Sequence, residues 1–275
     1  MAKAKDTTNS VSAKPIIFSA EMVRALLEGR KTQTRRVIKV QPQPYSGGVH
    51  PGHVAKHPAP YIDAYCSKRK TAANPRGMSH DWLWWAEDDR CGPFVGTCPY
   101  IPGDLLWVRE TFWIAEYYSY GTTPGGCEIS PPCLACRRGS PVFYAADGNP
   151  PNVGNRTYGP DGLRGGAFAA PDPYAVWVKS PSIHMPRWAS RLTLRITNIR
   201  AERLQDISED DARAEGCAVK WSGDMSDGPD KFVDEVFREI WEELYPKDSP
   251  KAWNANPWVW VYEFEVIQKN VDEVA

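Results

Sequence analysis

The sequence predicts an α+β domain in which a barrel-like set of strands is flanked by short helices. Three observations carry that expectation. Leu192, Leu194 and Ile196 alternate with polar residues, and Trp258 to Ile267 is a run of strong strand formers. Short segments with apolar residues three and four apart lie between such stretches and read as helices. No internal repeat interrupts the mixture, so strands separated by short helices fold around one core.

The elements follow in order. Residues 1–13 are polar, lack the apolar middle of a signal peptide and are expected to form a disordered arm. Lys14 to Phe18 reads as a strand. Ser19 caps a helix over Ala20 to Glu28, in which Met22/Leu26 and Val23/Leu27 are apolar pairs at four-residue spacing. Gly29 stands where a left-handed residue ends a helix. Thr32 to Ile38 then reads as a strand. A single domain over 14–268 is expected, with long irregular insertions at about 41–100 and 121–172 and a tail at 269–275. Leu105 to Glu110 and Val142 to Tyr144 read as strands. Ser208-x-x-Asp211 resembles a capping box for a helix that Gly216 ends. Asp230 is the expected cap of the longest helix, where Phe232, Val236 and Ile240 form one stripe and Val233, Phe237 and Trp241 the next.

Composition narrows the function classes. The formal net charge is −1, so nucleic-acid binding must come from local patches. There is no apolar run long enough for a transmembrane helix, and a cytoplasmic protein that does not engage membranes is expected. No glycine-rich phosphate loop, Ser-His-Asp arrangement or nucleotide-cofactor fingerprint is found. Two stretches are basic and free of acids. Arg30 to Lys39 holds Arg30, Lys31, Arg35, Arg36 and Lys39; Trp177 to Arg200 holds Lys179, Arg187, Arg191, Arg195 and Arg200. They would line one groove if the fold brings them together, or form separate solvated faces.

Five stretches carry a resemblance: Gly29-Arg-Lys-Thr-Gln-Thr-Arg-Arg36, Gly103 to Val108, Leu192 to Ile199, Ala214-Glu215-Gly216 and Trp260 to Phe264. In this order they resemble the ASCH family, whose members have the PUA-like fold, a compact β-barrel with flanking helices. Lys14 to Ser19 and Ser182 to Trp188 look like the ASCH-like proteins encoded by bacteriophages and prophages, which implies a host-cytoplasm location. The resemblance implies binding of RNA or a modified nucleoside. It also implies hydrolysis of N4-acetylcytidine to cytidine and acetate by a Lys, a Thr and a Glu, which fall on Lys31, Thr34 and Glu215. Three other readings stay open: a non-catalytic nucleic-acid-binding module, a ribonuclease, and a phage accessory protein that binds a host protein through its insertions.

The chemistry of that trio is specific. Amide hydrolysis needs a nucleophile, a base and stabilisation of the oxyanion. A threonine hydroxyl needs a neighbouring base. Lysine serves once burial and nearby cations disfavour its ammonium form, and Arg30, Arg35 and Arg36 are the nearby cations. Glu215 would orient Lys31 or give a proton to the leaving amine. On a regular strand residues 31 and 34 point to opposite faces, so a turn after Gly29 is required. The alternative is ordinary strand threonines and solvated cations balanced by Glu215.

A second candidate surface is nucleic-acid binding. Lys179 and His184 flank a proline-containing loop, and Arg187-Trp188 pairs a phosphate contact with a stacking platform, unless the tryptophan packs on the barrel. No cofactor is required for the chemistry. Cys127, Cys133 and Cys136, with Cys98 or Cys91, would supply four thiolates for a structural Zn²⁺; unliganded reduced thiols are the other reading of the seven cysteines. His50, His53 and His57 lie among prolines and glycines, and no metal is expected there.

Overall fold

The computed structural model describes residues 13–43, 59–66, 78–84, 96–117, 140–152, 168–169, 175–219 and 231–274. In chain order these form β1 (Lys14–Ile17), α1 (Ala20–Leu27), β2 (Gln33–Val37), β3 (Tyr61–Cys66), β4 (Met78–Trp84), β5 (Gly96–Thr97), β6 (Leu105–Arg109) and β7 (Phe112–Tyr117). There follow β8 (Val142–Tyr144), β9 (Phe168–Ala169), β10 (Ala175–Ser180), β11 (Thr193–Arg203), α2 (Glu209–Ala214), α3 (Val233–Leu244), β12 (Trp258–Ile267) and α4 (Val271–Val274). The chain divides into two compact units, each assembled from segments far apart in sequence. One draws on Met1–Leu27, Leu105–Leu194 and Val266–Ala275, the other on Glu28–Asp104 and Arg195–Glu265.

In the first unit β1 runs parallel to β6, with Ile16 opposite Val108. The Oγ of Ser19 accepts from the Met22 amide at 3.4 Å at the start of α1, which buries Val23, Ala25 and Leu26. A four-stranded sheet has the order β8-β7-β10-β9. Strand β7 is apolar on both faces. Phe112 and Ile114 pack with Met185, Ala189 and Tyr144, and Trp113 and Ala115 pack with Trp177 and Phe143. A strand covered on both sides loses the apolar–polar alternation, which is why sequence patterning does not mark β7. Residues 269–275, expected as a tail, contribute α4. Its Val271 is fully buried against Leu105 and Trp107, and Asn270 Nδ2 donates to the carbonyls of Arg187 at 2.9 Å and Ser190 at 2.6 Å.

In the second unit β2 pairs antiparallel with β12, placing Thr34 opposite Tyr262 and Arg36 opposite Trp260. β11 lies on the other side of β12. Helices α2 and α3 cover one face through Ala212, Val236, Phe237 and Trp241 against Val259 and Val261, with Leu204 in the same core. Both predicted stripes of α3 face this core except at Phe232, which is 54% exposed. The helix begins at Val233, and the Glu235 carboxylate accepts from the Phe232 amide at 2.9 Å. Asp230, the expected cap, lies outside the described residues.

The α+β class is observed. The barrel-like closure expected from the strand pattern is not: among the described residues every sheet runs from one edge strand to another. Alternation determines which face of a strand is buried but not which strand lies beside it. Part of the expected insertion at 41–100 is also ordered as an antiparallel sheet, β3-β4-β5, and 121–172 contains β8 and β9. No helix among the described residues is long and apolar enough to cross a membrane.

Candidate active site

The site in the second unit begins with backbone geometry. Gly29 has φ 73°, a left-handed conformation that glycine reaches without a Cβ clash. The chain then enters an isolated antiparallel bridge between Lys31 and Glu215. The Thr32 amide donates to the Ala214 carbonyl at 2.8 Å, and the Thr32 carbonyl accepts from the Phe264 amide at 2.9 Å. Thr32 is thereby held between the end of α2 and β12. On the other side, Ser208 caps α2 by accepting from the Asp211 amide at 3.1 Å, and Gly216 at φ 93° terminates it just after Glu215. Two left-handed glycines therefore flank the joined residues.

Side chains complete the connection. Lys31 Nζ donates to Glu215 Oε2 at 2.7 Å and to the Glu215 carbonyl at 2.8 Å. The Lys31 side chain is 0% exposed and that of Glu215 5%. Burial pushes the Lys31 ammonium below its ordinary value; Glu215 opposes that shift and Arg36 adds to it. Arg30 lies nearer the surface, with Nε donating to Glu28 at 2.7 Å and Nη1 to the Gly216 carbonyl at 2.7 Å. Arg30 and Lys31 thus both hold the 215–216 segment.

The two faces of β2 differ. Gln33 and Arg35 face a set of carboxylates beside α2. Arg35 Nη2 lies 3.1 Å from both Glu202 Oε2 and Asp211 Oδ2, and Nη1 lies 3.4 Å from Glu215 Oε1. Arg200 joins the same group, meeting Asp211 at 2.8 Å and pairing also with Glu202 and Glu263. Burial works against ionisation of Asp211, but Arg35 first, then Gln33, Ser208 and Arg200, hold its carboxyl below the ordinary range. Ser208-x-x-Asp211 thus supplies one half of a capping box, the bond from the Asp211 amide to Ser208, while the Asp211 carboxylate also meets Arg35 and Arg200.

Thr34 occupies the opposite face of β2 by strand alternation and is 3% exposed. Its cross-strand partner Tyr262 is 1% exposed, and the Tyr100 ring meets Tyr262 edge-on at 5.1 Å between centroids. Burial raises the Tyr262 hydroxyl far above the ordinary tyrosine range, Cys98 and Tyr100 add to the rise, and Arg36 opposes it. Burial also raises Tyr100, again with Arg36 opposing. Arg36, half-buried, is thus felt by Lys31, Tyr100 and Tyr262.

The other sequence candidates belong to the first unit. Lys179 is exposed and lies 5.5 Å from the Trp113 ring centroid. His184 is exposed in the short helical turn Ser182–His184. Arg187 pairs with Asp272 at 2.8 Å, and Trp188 packs against the cluster of Phe112, Ile114, Met185 and Ala189. Arg191 lies on the Tyr144 ring at 3.9 Å and makes two bonds each to Glu110 and Asp147. The second basic stretch is thus met by acids from elsewhere: Arg195 pairs with Glu265 at 3.0 Å, and Arg200 with the carboxylates beside α2.

Of the cysteines considered for Zn²⁺, Cys98 is 6% exposed, while Cys91, Cys127, Cys133 and Cys136 lie outside the described residues, as do His50, His53 and His57. Among the described residues no group of three or more His, Cys, Asp or Glu side chains is arranged to hold a metal ion.

No family model, curated protein or solved structure matches this chain.

Sequence reading missed the group of Arg200, Glu202 and Asp211. A signal existed: Arg200 and Glu202 stand two apart on one strand, which puts them on one face. It also missed the pairing of Tyr100 with Tyr262, two residues far apart in the chain that only the fold brings together.

Proposed function

We propose that the chain is a PUA-like protein of the ASCH type that binds RNA or a modified nucleoside and hydrolyses N4-acetylcytidine to cytidine and acetate. The observation that carries this reading is the buried Lys31–Glu215 pair at 2.7 Å, joined across 184 positions of sequence. It unites two of the three residues that the ASCH resemblance assigns to the reaction. Thr34 is also buried, on the face of β2 opposite the Arg35 that shares Glu215 with Lys31, so the reaction further requires its hydroxyl to reach the lysine.

In the reaction Lys31 moves the protons, Thr34 carries the acetyl group and Glu215 orients the amine. Neutral Lys31 takes the Thr34 hydroxyl proton as that oxygen attacks the acetyl carbon. The Lys31 ammonium then returns a proton to the cytosine N4 as the C–N bond breaks, releasing cytidine and leaving an acetyl ester on Thr34. Water, deprotonated by Lys31, hydrolyses the ester to acetate and restores the hydroxyl. Glu215 orients the amine throughout. Burial favours this cycle by disfavouring the resting ammonium. Half-buried Tyr100 lies on the Thr34 side of β2, edge-on against the buried Tyr262 ring.

The test is incubation of purified protein with N4-acetylcytidine and chromatography of cytidine. Wild type turns over, and Lys31→Ala loses about 10²–10⁴-fold in rate. Absence of turnover in the wild type, indistinguishable from Lys31→Ala, removes the enzymatic reading.

A second reading is favoured by the enclosure of Lys31, whose side chain has no exposed area. There the pair is a structural lock and the chain a non-catalytic nucleic-acid-binding module. It predicts salt-sensitive RNA binding with no cytidine formed.

A further inference from the structure

Arg35 belongs to the basic segment, yet its side chain is 0% exposed. It therefore presents no surface to a phosphate. Its guanidinium meets three carboxylates: Glu202 and Asp211 at 3.1 Å through Nη2 and Glu215 at 3.4 Å through Nη1. The Phe237 ring centroid lies 5.9 Å from its central carbon, and its Nε has no hydrogen-bond partner among the described residues.

The two oxygens of Glu215 are thereby divided. Oε2 faces Lys31 and Oε1 faces Arg35. Arg35 is held in turn, because Arg200 pairs with both Glu202 and Asp211. The chain of contacts runs from Arg200 through those carboxylates to Arg35, then to Glu215 and Lys31. A planar fork suits this task, since it reaches carboxylates on separate nitrogens at once, which a single ammonium does not.

We propose that Arg35 is a positioning residue: by holding Oε1 of Glu215 it makes that carboxylate a shared partner and withholds part of the Glu215 charge from Lys31. The catalytic consequence rests on the function proposed above. The positioning itself does not, and it is measurable without turnover.

The experiment follows the ionisation of Lys31 by NMR in the full chain labelled with ¹³C-lysine, Lys31→Met assigning the signal. In Arg35→Gln nothing competes with Lys31 for Glu215, so the Lys31 midpoint rises by about half a unit or more. Arg35→Lys restores the charge without the fork and returns the midpoint part of the way. Arg36 and Cys217, the other groups Lys31 feels, are unchanged in these variants. A folded Arg35→Gln protein with the wild-type midpoint overturns the proposal. If Arg35→Gln does not fold, Glu202→Gln tests the linkage from the far side. With one carboxylate fewer, Arg35 moves toward Glu215 and the midpoint falls; an unchanged midpoint overturns the proposal. Turnover is read separately. A shifted midpoint with no wild-type turnover removes the reaction and keeps the positioning role, whereas turnover with no shift does the reverse.

Discussion

Lys31 donates to both the carboxylate and the backbone carbonyl of Glu215, at 2.7 and 2.8 Å, with no part of the lysine side chain exposed. One bond depends on the side chain at 215 and the other only on its backbone. Loss of the carboxylate therefore leaves Lys31 a single acceptor on that residue and a buried charge without its counter-ion. Glu215→Gln is expected to cost about 3–5 kcal/mol in urea unfolding. In a double-mutant cycle with Lys31→Met the combined loss is smaller than the sum, because the second change removes the charge that the first left unpaired.

The depressed ammonium of Lys31 makes a signed prediction for pH. The unfolded chain keeps this proton up to about the ordinary value of 10.5, while the folded chain releases it earlier. Between the two values the unfolded state binds more protons, so stability rises with pH. The difference in unfolding free energy between wild type and Lys31→Met should therefore grow in favour of wild type as pH climbs through that window.

Tyr262 acts with the opposite sign. Its hydroxyl is raised above the ordinary value of 10.0, so above that pH the unfolded chain ionises while the folded one does not. Stability contributed at neutral pH is lost as pH rises further. Tyr262→Phe should remove this alkaline loss, read as a flatter dependence of the melting temperature on pH.

Gly29→Ala tests the turn that leads into the site. A Cβ built there meets nothing within 4 Å, so the only cost is the left-handed backbone at φ 73°. A loss of about 1–2 kcal/mol in urea unfolding is expected. Ser208→Ala at the start of α2 removes the bond to the Asp211 amide and should cost about 1 kcal/mol by the same measurement.

Arg191→Ala tests whether the second basic stretch is structural. Glu110 is 1% exposed, and burial already raises its carboxyl against the bonds from Arg191. Without Arg191 the buried carboxylate loses its counter-ion, at a cost of about 3–5 kcal/mol. A change within about 0.5 kcal/mol, as at an ordinary surface position, would refute the structural role.

The sequence by itself determined the elements whose signals are local. Ser19 and Ser208 mark helix starts, Gly29 and Gly216 mark ends, and Trp258 to Ile267 becomes β12 over the expected residues. These depend on side chains and backbone within a few residues, so pattern suffices to find them. Lys31, Thr34 and Glu215 were nameable for a different reason, through resemblance, and nothing local joins positions 31 and 215. Only the tertiary structure decided that their side chains meet, that Arg35 turns inward to three carboxylates, and that Arg191 and Arg200 find acids in distant segments. It also decided that, among the described residues, the strands lie in open sheets and that β7 is buried on both faces. Charge and face pairing are properties of which segments become neighbours, and one-dimensional periodicity carries no distance between them.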